Sequence, residues 1–251
     1  MLFFAPTRLE FTDDKPVQEI RVTNMADIAM SYNISLEDLA MFEDGDVRRV
    51  DNFEFSAKRM LRFVPRKFDL QPGERQVIRV MSRYPKGTPD GDYHAHLEFL
   101  EDVSRRLIVN DIDEDDTEAR ARASAKISYT TAIPIVLSKG KVAVSLDAVE
   151  LKSEENEKGQ PILSFTLLRS GNGQGEALVE VDLLTSDGRS KAAASRRYVP
   201  VYREIDKRKH SFLLEQLESS DLVSGSQLGV KLYDKRVSEE QPIKTYYVSI
   251  P

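Results

Sequence analysis

The stretch AKISYTTAIPIVL, residues 125–137, has the alternation of a half-buried β-strand. Its odd positions are apolar or aromatic except for one threonine, whereas the even positions from Lys126 to Thr130 are polar. Because successive side chains of a strand point to opposite faces, the pattern predicts a strand with one strongly apolar face. The preceding charged segment, residues 110–124, has too little apolar material to pack on anything. The sequence therefore raises the question of what this apolar face contacts.

Similar strand-like runs recur along the first half of the chain every eight to twelve residues, which is the spacing of a β-sandwich. Turn signals rich in Pro, Asp and Gly separate them, at residues 43–46, 71–74 and 89–92. The predicted strands lie in the opening stretch and in TRLEF (7–11), VQEIRVTN (17–24), MSYNISLEDL (30–39), MLRFVP (60–65), RQVIRVMSRY (75–84) and YHAHLEFLE (93–101).

The pattern starts afresh after LSKGK, residues 137–141. The second set of predicted strands is VAVSLDAVEL (142–151), ILSFTLLRS (162–170), ALVEVDLLT (177–185), RRYVPVYREI (196–205), HSFLLEQL (210–217), SQLGVKLYD (226–234) and IKTYYVSI (243–250). Each half is close to the ~100 residues of an immunoglobulin-type sandwich. We therefore predict an all-β chain of two immunoglobulin-like β-sandwich domains, residues 1–139 and 140–251.

Composition excludes several classes of function. The net charge of −6 argues against a non-specific nucleic-acid binder, because such proteins need a basic surface. The chain has no cysteine, which rules out disulfides and thiolate chemistry and leaves the compartment open. No apolar run approaches the ~18 residues that span a bilayer, so we expect no membrane insertion. The start of the sequence lacks a basic segment and a long apolar run, so we expect no signal peptide in it.

Signals of catalysis or metal binding are weak. His94 and His96 share one face of a strand, but no third or fourth metal ligand is evident nearby. Asp111, Asp113 and Asp115 have the first spacings of a calcium loop, which lacks the required glycine and final glutamate. GNGQGE, residues 171–176, resembles a phosphate-binding loop, but a strand follows it, so we predict a hairpin loop. We expect no catalytic residue, cofactor or metal.

The apolar face of residues 121–131 has two interpretations. It could fill the core of its own domain, which periodicity alone favours because most alternating strands do so. It could instead belong to an edge strand, whose free backbone groups pair with a strand of another protein while side chains fill pockets. In the second interpretation the side chains offered to the partner are those of Ala123, Ala125, Ile127 and Tyr129.

Several motifs of the first half resemble those of the periplasmic pilus-assembly chaperones of the PapD-like family. They are PTRLEF (6–11) with its early arginine, VTNMADIAMSYNISLE (22–37), LRFVPRKFDLQPGERQVIRV (61–80), PDGDYHAHLEF (89–99) and ISYTTAIPIVL (127–137). The third is the most specific, because a proline, an apolar residue and L-x-P-G-x-x-Q-x-I/L-R are typical of these chaperones. The resemblance covers residues 5 to about 140 well, and the remainder mainly by architecture.

The resemblance implies two domains in a boomerang arrangement that capture pilus or fimbrial subunits by donor-strand complementation. In such chaperones the long G1 strand, here ISYTTAIPIVL, completes the unfinished sandwich of a subunit until the next subunit displaces it. An outer-membrane usher is a further expected partner. The expected subunit-binding residues are Arg8, Ala123, Ala125, Ile127, Tyr129 and Thr131. An exposed edge strand also makes self-association of the free chaperone plausible.

By the same resemblance, Arg8 matches the arginine that holds the terminal carboxylate of the subunit, a task that suits the planar guanidinium. The family has a second anchor, a lysine on the G1 strand, whereas Pro134 stands at that position here. Lys126 or Lys139 could replace it, or Arg8 could act alone. The rival interpretations are a structural or adhesive immunoglobulin-like surface or pilus component and, more weakly, a carbohydrate-binding sandwich, against which the absence of tryptophan counts.

Overall fold

The computed structural model describes residues 1–102, 130–186 and 189–250. Across these ranges the chain is built of β-strands, and its helical segments are two single 3₁₀ turns, Lys58–Met60 and Ser219–Asp221. The predicted all-β fold class is therefore confirmed. In the described part of the chain, no helix has the length and apolar character needed to cross a bilayer.

The chain divides into two compact units by the density of its internal contacts. The first unit comprises Met1–Leu39 and Asp51–Gly140, and the second comprises Ala40–Val50 and Lys141–Pro251. A short segment from the first half of the sequence thus belongs to the second unit. The domain boundary between residues 139 and 140 remains a prediction from the sequence.

The strands of the first half follow the predicted alternation, and most of them have one buried face. In chain order they are β1 (Leu2–Ala5), β2 (Leu9–Phe11), β3 (Val17–Asn24), β4 (Met30–Glu37), β5 (Leu39–Met41), β6 (Val47–Arg49), β7 (Leu61–Val64), β8 (Lys67–Leu70), β9 (Arg75–Ser82), β10 (Gly91–Glu101) and β11 (Thr130–Lys139).

Two sheets form the first unit, in the orders β1-β3-β9-β7 and β2-β11-β10-β4-β8. These orders match the A-B-E-D and G-F-C sheets of an immunoglobulin sandwich, with the first strand divided between the two sheets. The inward residues of both sheets form one hydrophobic core, whose fully buried members include Phe11, Ile20, Ile78, Leu97, Phe99 and Ile135. Each such side chain stabilises the fold by roughly 1.5–3 kcal/mol.

The division of the first strand determines which backbone edges are covered. β1 pairs with β3 in one sheet, and the chain then turns at Pro6 to Arg8. β2 continues in the other sheet, parallel to β11, where Leu9, Glu10 and Phe11 pair with residues 135–137. Only the second half of β11 is therefore covered by β2.

The second unit is a sandwich of seven strands, whose sheet orders are β12-β13-β16 and β15-β14-β17-β18. In chain order the strands are β12 (Val144–Glu155), β13 (Pro161–Gly171), β14 (Gly175–Leu184), β15 (Ser190–Val201), β16 (Lys207–Leu213), β17 (Gln227–Asp234) and β18 (Lys244–Ser249). Both inner faces contribute to a second core that includes Leu163, Leu167, Val181, Val199, Leu228 and Leu232. The two predicted immunoglobulin-like sandwiches are thus present.

The hairpin of β5 and β6 packs within the second unit. The backbone N–H of Lys209 donates to the carbonyl of Glu43 at 2.7 Å, and the carboxylate of Glu43 lies 3.3 Å from the ammonium of Lys207. The turn needs Gly45, which has a φ of +88°, and a Cβ there would lie 2.7 Å from Nε of Arg208. These contacts hold the hairpin beside β16.

The segment GNGQGE does not form the predicted hairpin loop. β13 ends at Gly171 and β14 begins at Gly175, and these two strands belong to different sheets. Asn172 ties the crossing to the start of the unit, because its side chain accepts from Ala143 N at 2.8 Å and donates to Lys141 O at 2.9 Å. The alternation of β13 and β14 was sufficient to predict both strands but not the sheet to which each belongs.

Asn24 is the residue whose loss we expect to disturb the turns of the first unit most. It is fully buried, and its amide donates to the carbonyls of Ile28 and Leu70 at 2.8 and 3.1 Å while its oxygen accepts from Ala26 N. Replacing it with alanine leaves these groups without partners, so N24A should lower the free energy of unfolding by about 2 kcal/mol. Urea denaturation monitored by circular dichroism measures this loss of stability.

The matched control is Asn33→Ala, because Asn33 is exposed on β4. It should change the free energy of unfolding by no more than about 0.5 kcal/mol. Equal losses for N24A and N33A would show that the side-chain bonds of Asn24 contribute nothing specific.

Candidate functional site

Toward its C-terminal end, β11 directs apolar side chains into the first unit's own core. Ile133, Ile135 and Leu137 have exposed fractions of 4%, 0% and 0%. Thr130 and Thr131, at the start of the strand, are both exposed. The strand therefore changes from buried to solvent-accessible toward its N-terminal end.

One backbone edge of β11 is open over part of its length. All ten residues from Thr130 to Lys139 pair with β10, whereas β2 covers the opposite edge only at residues 135–137. Within the described ranges no strand pairs with that opposite edge at residues 130–134. Because an uncovered edge presents backbone N–H and C=O groups in strand spacing, it is suited to pairing with a strand of another chain.

The outer face of the same sheet brings together four residues in one row, which we call the Arg8 row. Pro134 of β11 pairs with His96 of β10, and His96 pairs in turn with Glu37 of β4. Arg8 immediately precedes Leu9, which pairs with Ile135, so Arg8 is level with Pro134 on the far side of β11. The order across the sheet is Arg8, Pro134, His96 and Glu37.

Arg8 forms an ion pair with Glu10, two residues later on the same face. The distance from Nε of Arg8 to Oε1 of Glu10 is 2.8 Å. The arginine side chain is 19% exposed, whereas that of the glutamate is 56% exposed. The guanidinium is therefore a partly sheltered cation whose partner lies mostly in solvent.

Two buried histidines lie beside Arg8 on this face. His94 and His96 have exposed fractions of 3% and 5%, and the ring of Phe53 lies 4.8 Å from that of His94. Burial lowers the pKa of His96 to about 3, with smaller contributions in the same direction from His94 and Arg8. His96 is therefore neutral at pH 7, and Arg8 supplies the fixed positive charge on its side of the row.

At the other end of the row, Glu37 is accompanied by its own cation. The ammonium of Lys58 lies 3.7 Å from the carboxylate of Glu37 and 4.0 Å from that of Asp38. The carboxylate of Glu37, which is paired with His96 across the sheet, thus has a lysine ammonium within ion-pair distance.

Three of the predicted site residues lie within the described ranges, and five lie outside them. Thr131 is exposed at the open edge of β11, whereas the side chain of Arg8, on the outer face of the sheet, is only 19% exposed. Lys139 pairs with Asp90 at 3.5 Å, opposite Gly91 and five residues along β11 from Pro134. At about 3.3 Å per residue it lies roughly 16 Å from the Arg8 row. The predictions for Ala123, Ala125, Lys126, Ile127 and Tyr129 lie outside the described residues.

Sequence reasoning did not include Glu10 and His96 in the site. Glu10 was identifiable, because it follows Arg8 by two residues in an alternating strand and so shares its face. His96 required the register between β10 and β11, which the sequence does not give. No group of three or more histidine, cysteine or acidic residues suited to a metal occurs in the part of the chain that the structure describes. The calcium-like spacing at residues 111–115 lies outside that part.

Comparisons with known proteins give a result for structures only. No family model matches the chain. No curated protein matches it either. Among solved structures, the chain is similar to the class 5 fimbriae chaperone CfaA, with a TM-score of 0.47 and 14% identity over 100% of both chains.

Two further structures show comparable similarity. The first is the CsuC–CsuE chaperone–tip subunit pre-assembly complex from the archaic chaperone-usher Csu pili of Acinetobacter baumannii, with a TM-score of 0.46, 12% identity, and coverage of 99% of this chain and 98% of the other. The second is the CupB2 chaperone of Pseudomonas aeruginosa, with a TM-score of 0.46, 9% identity, and coverage of 99% and 100%.

Proposed function

We propose that the chain is a periplasmic chaperone that binds, stabilises and delivers pilus or fimbrial subunits. The mode of binding is donor-strand complementation, in which the N-terminal part of the G1 strand completes the sandwich of the subunit. The residues that fill the subunit's groove are Ala123, Ala125, Ile127, Tyr129 and Thr131. The chaperone acts without catalysis, cofactor or external energy source, because burial of apolar surface and backbone pairing supply the free energy.

The open edge of β11 is the observation that carries this proposal. Residues 130–134 have one uncovered backbone edge among the described strands, and the alternating apolar sequence 123–131 leads directly into it. An added strand gains main-chain hydrogen bonds from such an edge and specificity from the alternate side chains. The exposure of Thr130 and Thr131 supports the same interpretation.

Arg8 is the proposed anchor for the terminal carboxylate of the subunit. Its partly sheltered guanidinium lies across β11 from His96, next to the strand that would receive the client. A guanidinium binds a carboxylate through two parallel hydrogen bonds, which fixes the position of a chain end as well as attracting it. The anchor would therefore set the register of the bound subunit on β11. Lys126 and Lys139 remain alternative second anchors.

The remaining partners follow from the same proposal. An outer-membrane usher accepts the subunit from the chaperone, and the periplasm is where the transfer occurs. In the free state two copies could cover the open edge of β11 by pairing with each other, since unpaired edges favour association.

Replacing Ile127 and Tyr129 together with aspartate should abolish subunit capture and leave the fold intact. Each apolar side chain is worth about 1.5–3 kcal/mol on burial, so the loss of two should weaken binding at least about a hundredfold. Co-expression with a candidate fimbrial subunit, followed by co-purification, measures capture, and circular dichroism of the variant alone measures folding.

The matched control replaces Ser128 and Thr130, on the opposite face of the same predicted strand, with aspartate. This variant should retain capture within a few fold. Global unfolding of the Ile127 and Tyr129 variant would instead assign that face to the protein's own core. The absence of a soluble complex with the wild-type chain would favour the structural or adhesive alternative.

A further inference from the structure

We propose that Glu10 acts as a placeholder for the client's carboxylate at Arg8. This inference rests on the proposed function, because it concerns the state of the same anchor before a subunit arrives. In the structure the carboxylate of Glu10 lies 2.8 Å from Nε of Arg8. The free chaperone thus carries at its anchor the chemical group that a chain terminus would bring.

The geometry allows the two carboxylates to exchange without movement of the sheet. The Glu10 side chain is 56% exposed, so it can rotate into water at little desolvation cost. Its backbone is held independently, because its carbonyl accepts from Nε2 of Gln18 at 3.0 Å and the residue pairs with Val136. Displacement of the placeholder therefore changes a side-chain rotamer and not the strand.

Exchange of one carboxylate for another preserves the charge beside Arg8. Within the Arg8 row, Pro134 contributes no charge, His96 is neutral at pH 7, and Glu37 has Lys58 nearby. An incoming carboxylate therefore replaces the charge that Glu10 takes away from the guanidinium, whereas an amide or other neutral group does not.

A consequence is that Glu10 weakens client binding, because it competes with the client's carboxylate for Arg8. An exposed ion pair is worth about 0.2–1 kcal/mol. Because the Arg8 side chain is only 19% exposed, we use the upper part of that range, about 0.5–1 kcal/mol, as the amount that a ligand must overcome to displace Glu10. Removing the charge of Glu10 should therefore increase the affinity of Arg8 for carboxylates about two- to fivefold.

The test is Glu10→Gln in the full chain, titrated with acetate and followed by the NMR signal of the Arg8 Nε–H group. Acetate is the smallest probe of the carboxylate, and acetamide is its neutral counterpart. We expect acetate to bind E10Q about two- to fivefold more tightly than it binds wild type. Acetamide should leave the Arg8 Nε–H signal unchanged in both proteins. In the Arg8→Ala variant, acetate should no longer shift the signals of the neighbouring backbone amides.

Glu19→Gln is the matched control. Glu19 pairs with Arg79 at 2.8 Å on the other sheet of the same unit, so its substitution removes a comparable exposed ion pair far from Arg8. E19Q should bind acetate at Arg8 as wild type does.

Equal acetate affinity in E10Q and wild type, or equal gains in E10Q and E19Q, would overturn the inference. The proposed function fails separately, when the wild-type chain forms no complex with a fimbrial subunit. If a complex does form, E10Q should tighten it by a similar two- to fivefold and Arg8→Ala should weaken it. Unchanged subunit affinity in E10Q would also count against the placeholder.

Discussion

Replacing Ile135 with aspartate will unfold the first unit. Ile135 is fully buried between the two sheets, and its backbone pairs with Leu9 on one side and Ala95 on the other. An uncompensated buried charge costs about 3–5 kcal/mol, and the apolar contacts of the isoleucine are lost in addition. Since a domain has roughly 5–15 kcal/mol of total stability, I135D should lose most or all of the cooperative unfolding transition of the first unit.

Scanning calorimetry of the full chain measures this transition directly. The matched control is Thr131→Asp on the same strand, since Thr131 is exposed and four residues closer to the open end. T131D should keep its unfolding temperature within a few degrees of wild type. A folded I135D, or an equally damaged T131D, would show that burial does not change along β11 as the structure describes.

The contrast along this one strand shows why its sequence pattern alone could not decide between the two interpretations. The alternation of residues 125–137 predicted a strand and an apolar face, and for Ile133, Ile135 and Leu137 that face fills the protein's own core. Periodicity alone cannot distinguish a core face from an offered face, because both require the same apolar side chains. What differs along β11 is the backbone coverage, because β2 pairs only with residues 135–137. The start of β2, and so the extent of this coverage, depends on the turn at Pro6 to Arg8.

Most strands were predictable because they bury one face. The β9 segment, Arg75–Ser82, has a simple alternation of exposed and largely buried residues, and so does β7. By contrast, all three residues of β6, Val47–Arg49, are exposed, so no apolar period marks that strand. Its hairpin is held by contacts with β16, which no local pattern could reveal.

The candidate site was only partly predictable for a similar reason. Arg8 was found from a motif, and Glu10 shares its face by simple alternation. His96 enters the row only through the pairing of β10 with β11, which fixes it opposite Pro134. Register is a tertiary property, because it depends on which residues of two distant segments meet.

Lowering the pH from 7 to 5 will destabilise the protein through two histidines. Burial is the main cause that lowers the pKa of His96 to about 3, and His94 and Arg8 make smaller contributions in the same direction. Burial is likewise the main cause that lowers the pKa of His210 to about 4, and the charges of Arg208 and Arg197 make smaller contributions in the same direction. In the unfolded chain both imidazoles titrate near pH 6.5, so the unfolded state binds protons that the folded state does not.

The sign follows from this difference. The stability that the neutral histidines provide is complete above pH 6.5 and is lost as the pH falls from 6.5 toward 4 and 3. Each histidine contributes a slope of about 1.4 kcal/mol per pH unit in that window, so the free energy of unfolding should fall by about 3–4 kcal/mol between pH 7 and 5. Burial also raises the pKa of Asp234, and a raised carboxyl pKa acts in the opposite direction as the pH falls, because the folded state binds the proton more readily than the unfolded state.

Urea denaturation at half-unit pH intervals measures the slope, and His96→Gln with His210→Gln is the variant that tests its origin. The double variant should have a nearly flat profile between pH 6.5 and 5, because the two groups that take up protons on unfolding are gone. Glu215 cannot produce the same slope. Burial would raise its pKa, but hydrogen bonds from Ser195 and Arg197 lower it to about 2, so its effect begins below pH 4.5. A double variant whose profile stays parallel to wild type would assign the acid sensitivity to other groups.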